Sequence, residues 1–281
     1  MRIRILRQPG HLSLAVLLLF SFSARASYSS RGAQANPVVS LRQIPIWWSP
    51  QLHLGSLQAI PEKLQEPVEL PSNEPGIELR NGEDQKLRVF TCAEYLEAIG
   101  KDFYPATQYD ADMESLFVHR CYVLRDLQNA RPARRSHVRH DAWSANAASE
   151  IPPLFSSLSD EGTALKILEE AKAKGKSWRS FQPNLRITLS RNNPLILHAD
   201  DDSSSYALEI LASGDFDGDG WEDLAVSGGV HAKGGTYFRS YYFILSRRRN
   251  ELCMHMLTES TAPFHIKTTA GTLKSDAPKF Q

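Results

Sequence analysis

The stretch "GDFDGDGWEDLAV", Gly214 to Val226, sets Asp215, Asp217, Asp219 and Asp223 around Gly220 and runs straight into an apolar segment. Alternate residues of an extended turn can aim their side chains at one point, and Gly220 can take the positive φ that brings the chain back toward it. Four carboxylates gathered without a cation repel and raise one another's pKa. The spacing therefore predicts a cation cage. Asp215, Asp217 and Asp219 would each give a carboxylate oxygen, Trp221 its carbonyl, and Asp223 one or two oxygens more. With one or two waters, these make up the roughly six to eight oxygens that Ca²⁺ prefers. An EF-hand would also need a glutamate at the twelfth position, where Val226 stands.

Working outward, the segments "NLRITLS", "PLILHA", "SYALEILAS", "EDLAVSGGV", "TYFRSYYFILS" and "LCMHML" are short, rich in β-branched or aromatic residues, and separated by turn residues. They predict an antiparallel meander. Upstream the period changes. Thr91 with Glu94 reads as a capping box opening a short helix that stops near Gly100. Met113, Leu116, Phe117, Cys121, Leu124 and Leu127 recur at steps of three and four, predicting a helix over about 112–129, capped by Asp110 or Asp112. A third helix is expected over about 160–174, with Leu165, Leu168 and Ala171 on one side and Gly175 as its stop. The fold class is α+β: an N-terminal helical region, then a C-terminal antiparallel β-meander carrying one calcium-binding hairpin loop. The divisions expected are a leader over 1–26, a proline-rich irregular arm over 27–85, a helical region over 86–150 and a mainly β region over 151–281.

The stretch "GDFDGDGWEDLAVSGG" resembles the calcium loop of FG-GAP and VCBS-type repeats, which occur in the blades of integrin-like β-propellers. The resemblance covers about residues 208–243. It implies a Ca²⁺ cofactor held by Asp215, Asp217, Asp219 and Asp223 and by the Trp221 carbonyl, with "DLAV" as the following strand. A propeller repeats such a unit at a fixed period, and no second acidic loop of this spacing occurs. Asp200-Asp201-Asp202 is a contiguous run without the glycine. A complete propeller is not expected.

Cys92 and Cys121 lie in neighbouring helical patterns and are expected to form a disulfide, leaving Cys253 as a buried thiol in "ELCMHML". Trp47-Trp48 either anchors the arm or contributes to a ligand or partner surface. The run "ARPARRSHVRHDAW", with Arg131, Arg134, Arg135, His137, Arg139 and His140, is either a basic tail to the second helix or a patch for an acidic partner. The segment Tyr237 to Tyr242 is aromatic on both faces; core packing accounts for one, and whether the other meets a partner is left undecided.

Arg2, Arg4 and Arg7 precede the apolar run Leu12 to Phe22, and Ala24-Arg25-Ala26 follows it, the pattern of a Sec-type signal peptide cleaved after Ala26. That run is about half of the roughly 20 apolar residues a membrane span requires, and no later segment is longer. A secreted or periplasmic protein without a membrane span is expected. Cleavage would remove four of the 32 basic side chains and none of the 32 acidic ones. The resulting mild acidity argues against a nucleic-acid partner. No G-x-S-x-G, H-E-x-x-H, phosphate-cradling glycine loop or C-x-x-C occurs, and the pairs His140-Asp141 and His198 with Asp200 are of the kind that chance supplies. No catalytic residue is assigned. The leading expectation is an exported calcium-binding protein that acts on a protein partner, of a binding, inhibitor or immunity type, with the ion structural. A secreted metal-dependent hydrolase and an envelope structural component are the alternatives.

Overall fold

The computed structural model describes residues 43–71, 75–154, 161–235, 238–247 and 253–261, all within the unit 41–281. The expected leader lies outside these residues, as do Tyr237 and the side chain of Leu165. In chain order the elements are β1 (Trp47–Trp48), α1 (Ile60–Gln65), β2 (Ile77–Arg80), β3 (Lys86–Val89), α2 (Cys92–Ile99), β4 (Tyr104–Pro105), α3 (Gln108–Leu127), α4 (Ala147–Glu150), α5 (Glu161–Ala173), α6 (Trp178–Phe181), β5 (Arg186–Leu189), β6 (Ile196–Asp200), β7 (Ser204–Gly214), β8 (Asp223–Ala232), β9 (Phe238–Ser246) and β10 (His255–Thr261).

The architecture is mixed helix and antiparallel sheet, and it is neither a closed barrel nor a propeller. Strands β5 to β10 pair with their sequence neighbours, so the sheet is open with β5 and β10 at its edges. β1 joins the far end of β7, Trp47 opposite Ser213 and Trp48 opposite Ala212. A register shift between Ile210 and Ala212 gives β7 two consecutive residues, Leu211 and Ala212, packed on the helical side. Gly228 in β8 faces the Leu208 side chain and the Ala207 carbonyl of β7 so closely that any Cβ there would collide with both. Strands β2, β3 and β4 form a separate three-stranded sheet.

Alternation in β7 to β9 feeds two cores. Leu211, Ala225, Tyr242 and Ile244 pack with Tyr95, Phe117 and Tyr122 from α2 and α3. Tyr206, Leu208, Val226, Tyr241 and Phe243 face the opposite way, against Trp143, Leu168 and Trp178. Tyr241 and Tyr242 are thus both buried. Both faces of β9 meet core: the face whose role the sequence leaves undecided is filled by the Tyr122 ring stacked on Tyr242, centroids 5.6 Å apart.

The helix starts follow local hydrogen bonding. Thr91 and Glu94 make both bonds of the capping box. α3 begins earlier than its apolar stripe predicts, because the Thr107 hydroxyl accepts the Asp110 N–H at 3.2 Å. Asp110 does not cap its own helix; its Oδ1 accepts the Glu78 N–H at 2.8 Å and ties α3 to β2. The Cys92–Cys121 disulfide is present, with its Cα atoms 4.9 Å apart and both residues fully buried. Gly175 takes φ 64° just beyond α5. Cys253 is half-buried, short of the buried thiol expected, because β10 starts only at His255. Within 43–85, expected to be irregular, prolines keep the elements short without removing them. Trp48 is fixed by its indole N–H donating to the Leu54 carbonyl at 2.7 Å.

Candidate metal centre

β7 ends at Gly214 and β8 begins at Asp223, and the loop between them is wound by its own carboxylates. Asp215 accepts the Gly218 N–H on Oδ1 at 2.7 Å and the Gly220 N–H on Oδ2 at 3.0 Å. Asp217 accepts the Asp219 N–H at 3.0 Å, and Asp219 accepts the Trp221 N–H at 2.8 Å. The latter two are Asx turns, in which a short side chain stands in for a backbone acceptor. Gly218 at φ 82° and Gly220 at φ 87° supply the left-handed residues such winding needs.

The outcome is convergence of Asp215, Asp217 and Asp223, with one carboxylate oxygen from each lying within 4.8 Å of the others. This triad could hold a metal ion. Asp219 is not in that group; it lines a small pocket of about 280 Å³ beside the loop, with Asp215, Arg131 and Arg134. Trp221 carries the loop into Asp223.

Asp223 tests the fit. Its side chain is fully buried. Oδ2 accepts the Phe216 N–H at 2.9 Å, whereas Oδ1 has no hydrogen-bond partner among the described residues. Burial pushes the carboxyl up to about 7; the charges of Asp217 and Asp219 add to this, while the nearby Ser246 hydroxyl and the Phe216 N–H pull the other way. A buried acceptor without a donor, beside two more carboxylates, is a group that a cation would satisfy.

Sequence reasoning left the role of the basic run open. In the structure its backbone clamps the loop. Arg131 and Asp215 exchange N–H···O bonds at 3.0 and 2.9 Å, Arg134 and Arg135 both donate to the Gly220 carbonyl, and Glu222 donates to the Arg135 carbonyl at 2.8 Å. Trp221 is held by the strap's side chains: the His137 ring stacks on it at 4.7 Å and the Arg135 guanidinium lies 5.3 Å from its centroid.

No protein-family model, curated protein or solved structure matches the chain.

Glu222 is the site residue that sequence spacing missed. Buried between the loop and the sheet, it accepts the Ser213 hydroxyl at 2.8 Å and lies 2.9 Å from His140 Nδ1. The His140 ring also packs on Trp47, centroids 5.4 Å apart. His140 is thus oriented by Glu222 and not by its neighbour Asp141, which pairs with Arg139 at 3.1 Å. The other adjacent pair dissolves too, because Asp200 accepts the Ser205 hydroxyl at 2.7 Å and lies 3.3 Å from Lys233. Among the described residues, no helix is long and apolar enough to cross a membrane.

Proposed function

We propose that the chain is an exported calcium-binding protein, secreted or periplasmic, that acts by binding another macromolecule, with Ca²⁺ pinning the β7–β8 hairpin. The observation that carries this is the buried, donorless Oδ1 of Asp223 beside Asp215 and Asp217. Oxygen-only ligands from loop positions one, three and nine suit a hard cation with a flexible shell. In the FG-GAP and VCBS-type pattern, Asp219 and the Trp221 carbonyl would complete the set. Asp215, Asp217 and Asp223 would hold the ion, which would supply positive charge at the hairpin tip.

The strap gives the partner surface its chemistry. Arg131, Arg134 and Arg135 are exposed and make no ion pair with any described residue. Three guanidiniums without a carboxylate partner among the described residues suit an acidic protein face. The pocket beside the loop is lined by Arg131, Arg134, Asp215 and Asp219 and by no histidine, which supports binding over metal-assisted hydrolysis. The test is calorimetric titration with Ca²⁺ of the wild type and of Asp223→Asn, followed by pull-down from envelope extract with and without chelator. A saturable site lost in Asp223→Asn, with a stoichiometric partner retained only in calcium and lost in the triple Arg131/Arg134/Arg135→Ala variant, is expected. Absence of a calcium isotherm defeats the metal assignment, and absence of any retained partner defeats the binding role.

A further inference from the structure

A second concavity, of about 590 Å³, opens away from the metal loop, between residues 51–69, α3 and β7. The segment after β1 brings Gln51 and His53 to it, α1 and its exit bring Lys63, Glu66 and Glu69, α3 brings His119 and Arg120, and β7 brings Glu209 and Leu211. Its volume is in the range of small-molecule sites, roughly 300–1,000 Å³.

Part of this wall is already assembled. Lys63 Nζ donates to both Glu66 oxygens, at 2.8 and 2.9 Å, and Arg120 Nη2 donates to Glu66 at 3.1 Å, so one carboxylate fixes both cations. What remains is unspent hydrogen-bonding capacity. Arg120 Nε and Glu209 Oε1 are buried atoms with no partner among the described residues. Across the sheet, Glu209 faces Ile196 on β6 and Ser227 on β8. Neither serves it, since the Ser227 hydroxyl donates to the Tyr241 carbonyl. Burial raises the Glu209 carboxyl and depresses the His119 imidazole. His53 sits at φ 48°, a left-handed conformation that costs a non-glycine residue energy, and lines the cleft.

We propose that this cleft binds a neutral, multiply hydroxylated ligand, a short oligosaccharide. An unpaired N–H donor, an unpaired carboxyl and two imidazoles in one concavity match hydroxyl groups, each of which donates and accepts at once. An anion would meet Glu69 and Glu209 while both cations are committed to Glu66. A cation would meet Lys63 and Arg120. The acidic metal triad lies elsewhere, and among the described residues no second metal-ligating cluster occurs. Glu209 and Arg120 touch the ligand in this assignment, and Glu66 positions Arg120.

The experiment follows the histidine ring resonances of the full-length protein by NMR, with cellotriose, chitotriose and maltotriose added to about 10 mM, where a ligand with a dissociation constant of about 1 mM is roughly nine-tenths bound. At least one trisaccharide is expected to shift His53 and His119 while leaving His137 in place. Glu209→Ala should weaken that binding about tenfold, and Glu209→Gln, which keeps an acceptor and the side-chain shape, should retain most of it. No movement of His53 or His119 with any of the three overturns the proposal, as do equal movements with sulfate or spermidine, or unchanged binding in a folded Glu209→Ala. Running the titrations in calcium and in EDTA keeps the outcome separate from that of the metal site.

Discussion

Glu114 and Asp223 are both carboxyls removed from water, at 1% and 0% exposure, and burial is the largest cause of pushing each up to about 7. Their surroundings differ. Glu114, on α3, has a tyrosine for company: the Tyr95 hydroxyl donates to it at 2.9 Å, and the rings of Phe117 and Tyr122 close around Tyr95. Asp223 has Asp215 and Asp217. A lone buried carboxyl can meet its desolvation by keeping a proton. A buried carboxyl among others gathers negative charge at one point, and a cation answers it better. The helical layer and the hairpin tip thus apply one desolvation penalty to opposite ends.

The comparison breaks hardest at the disulfide, which staples the helical layer and has no counterpart at the loop. Replacing Cys92 and Cys121 by serine removes a crosslink between residues 29 apart and should lower stability by about 3.5 kcal/mol, read as the denaturant midpoint at constant slope. Calcium affinity should be unchanged.

Next comes pH. The Glu114 carboxyl goes from an ordinary 4.5 to about 7 on folding. Below 4.5 both folded and unfolded chains carry its proton. Between 4.5 and 7 the unfolded chain has released the proton and the folded chain has kept it, so stability falls as pH rises through that window, by about 3 kcal/mol in all. Asp223 carries a like shift in the calcium-free chain, so Glu114→Gln should reduce the slope by about half. A slope left intact in the variant would mean that the helical carboxyl is not the group responsible.

Calcium sharpens the other arm. At free Ca²⁺ about 100 times the dissociation constant, linkage adds about 2.7 kcal/mol, seen as a rise in Tm that Asp217→Ala and Asp223→Asn both abolish. Asp219→Ala, outside the triad, separates the spacing-based ligand set from the geometric one: full loss of the calcium effect supports the former and a reduced effect the latter. The smallest expected change is at Trp221. Truncation to alanine removes the His137 stack and the Arg135 contact, for about 1 kcal/mol, and should reduce calcium affinity in step if the strap and the loop act as one unit.

Much of the local architecture was legible. The Thr91–Glu94 capping box, the loop with its left-handed Gly220, and the strand-rich segments after 186 rest on interactions between residues a few positions apart, and side-chain type with spacing is enough to specify those. Cys121 sits on the apolar stripe of α3, which placed its bridge to Cys92 inside the helix pair. The basic run and the aromatic strand were ambiguous for a physical reason. A cationic stretch can be solvated or docked, and an aromatic strand can be covered on one side or two. Composition does not say what lies opposite.

By itself, then, the sequence determined helices α2, α3 and α5, the strands of the meander, the disulfide and the candidate cation turn, because short-range hydrogen bonding and periodicity act before the chain is packed. Only the tertiary structure decided that Asp215, Asp217 and Asp223 converge without Asp219, that residues 131–135 strap the loop, and that His140 answers to Glu222, 82 residues away. It also decided that Glu209 of β7 meets His119 and Arg120 of α3 across one cleft. The last three join groups that only the docking of α3 and its trailing strap onto the meander brings within reach, and no spacing along the chain records that distance.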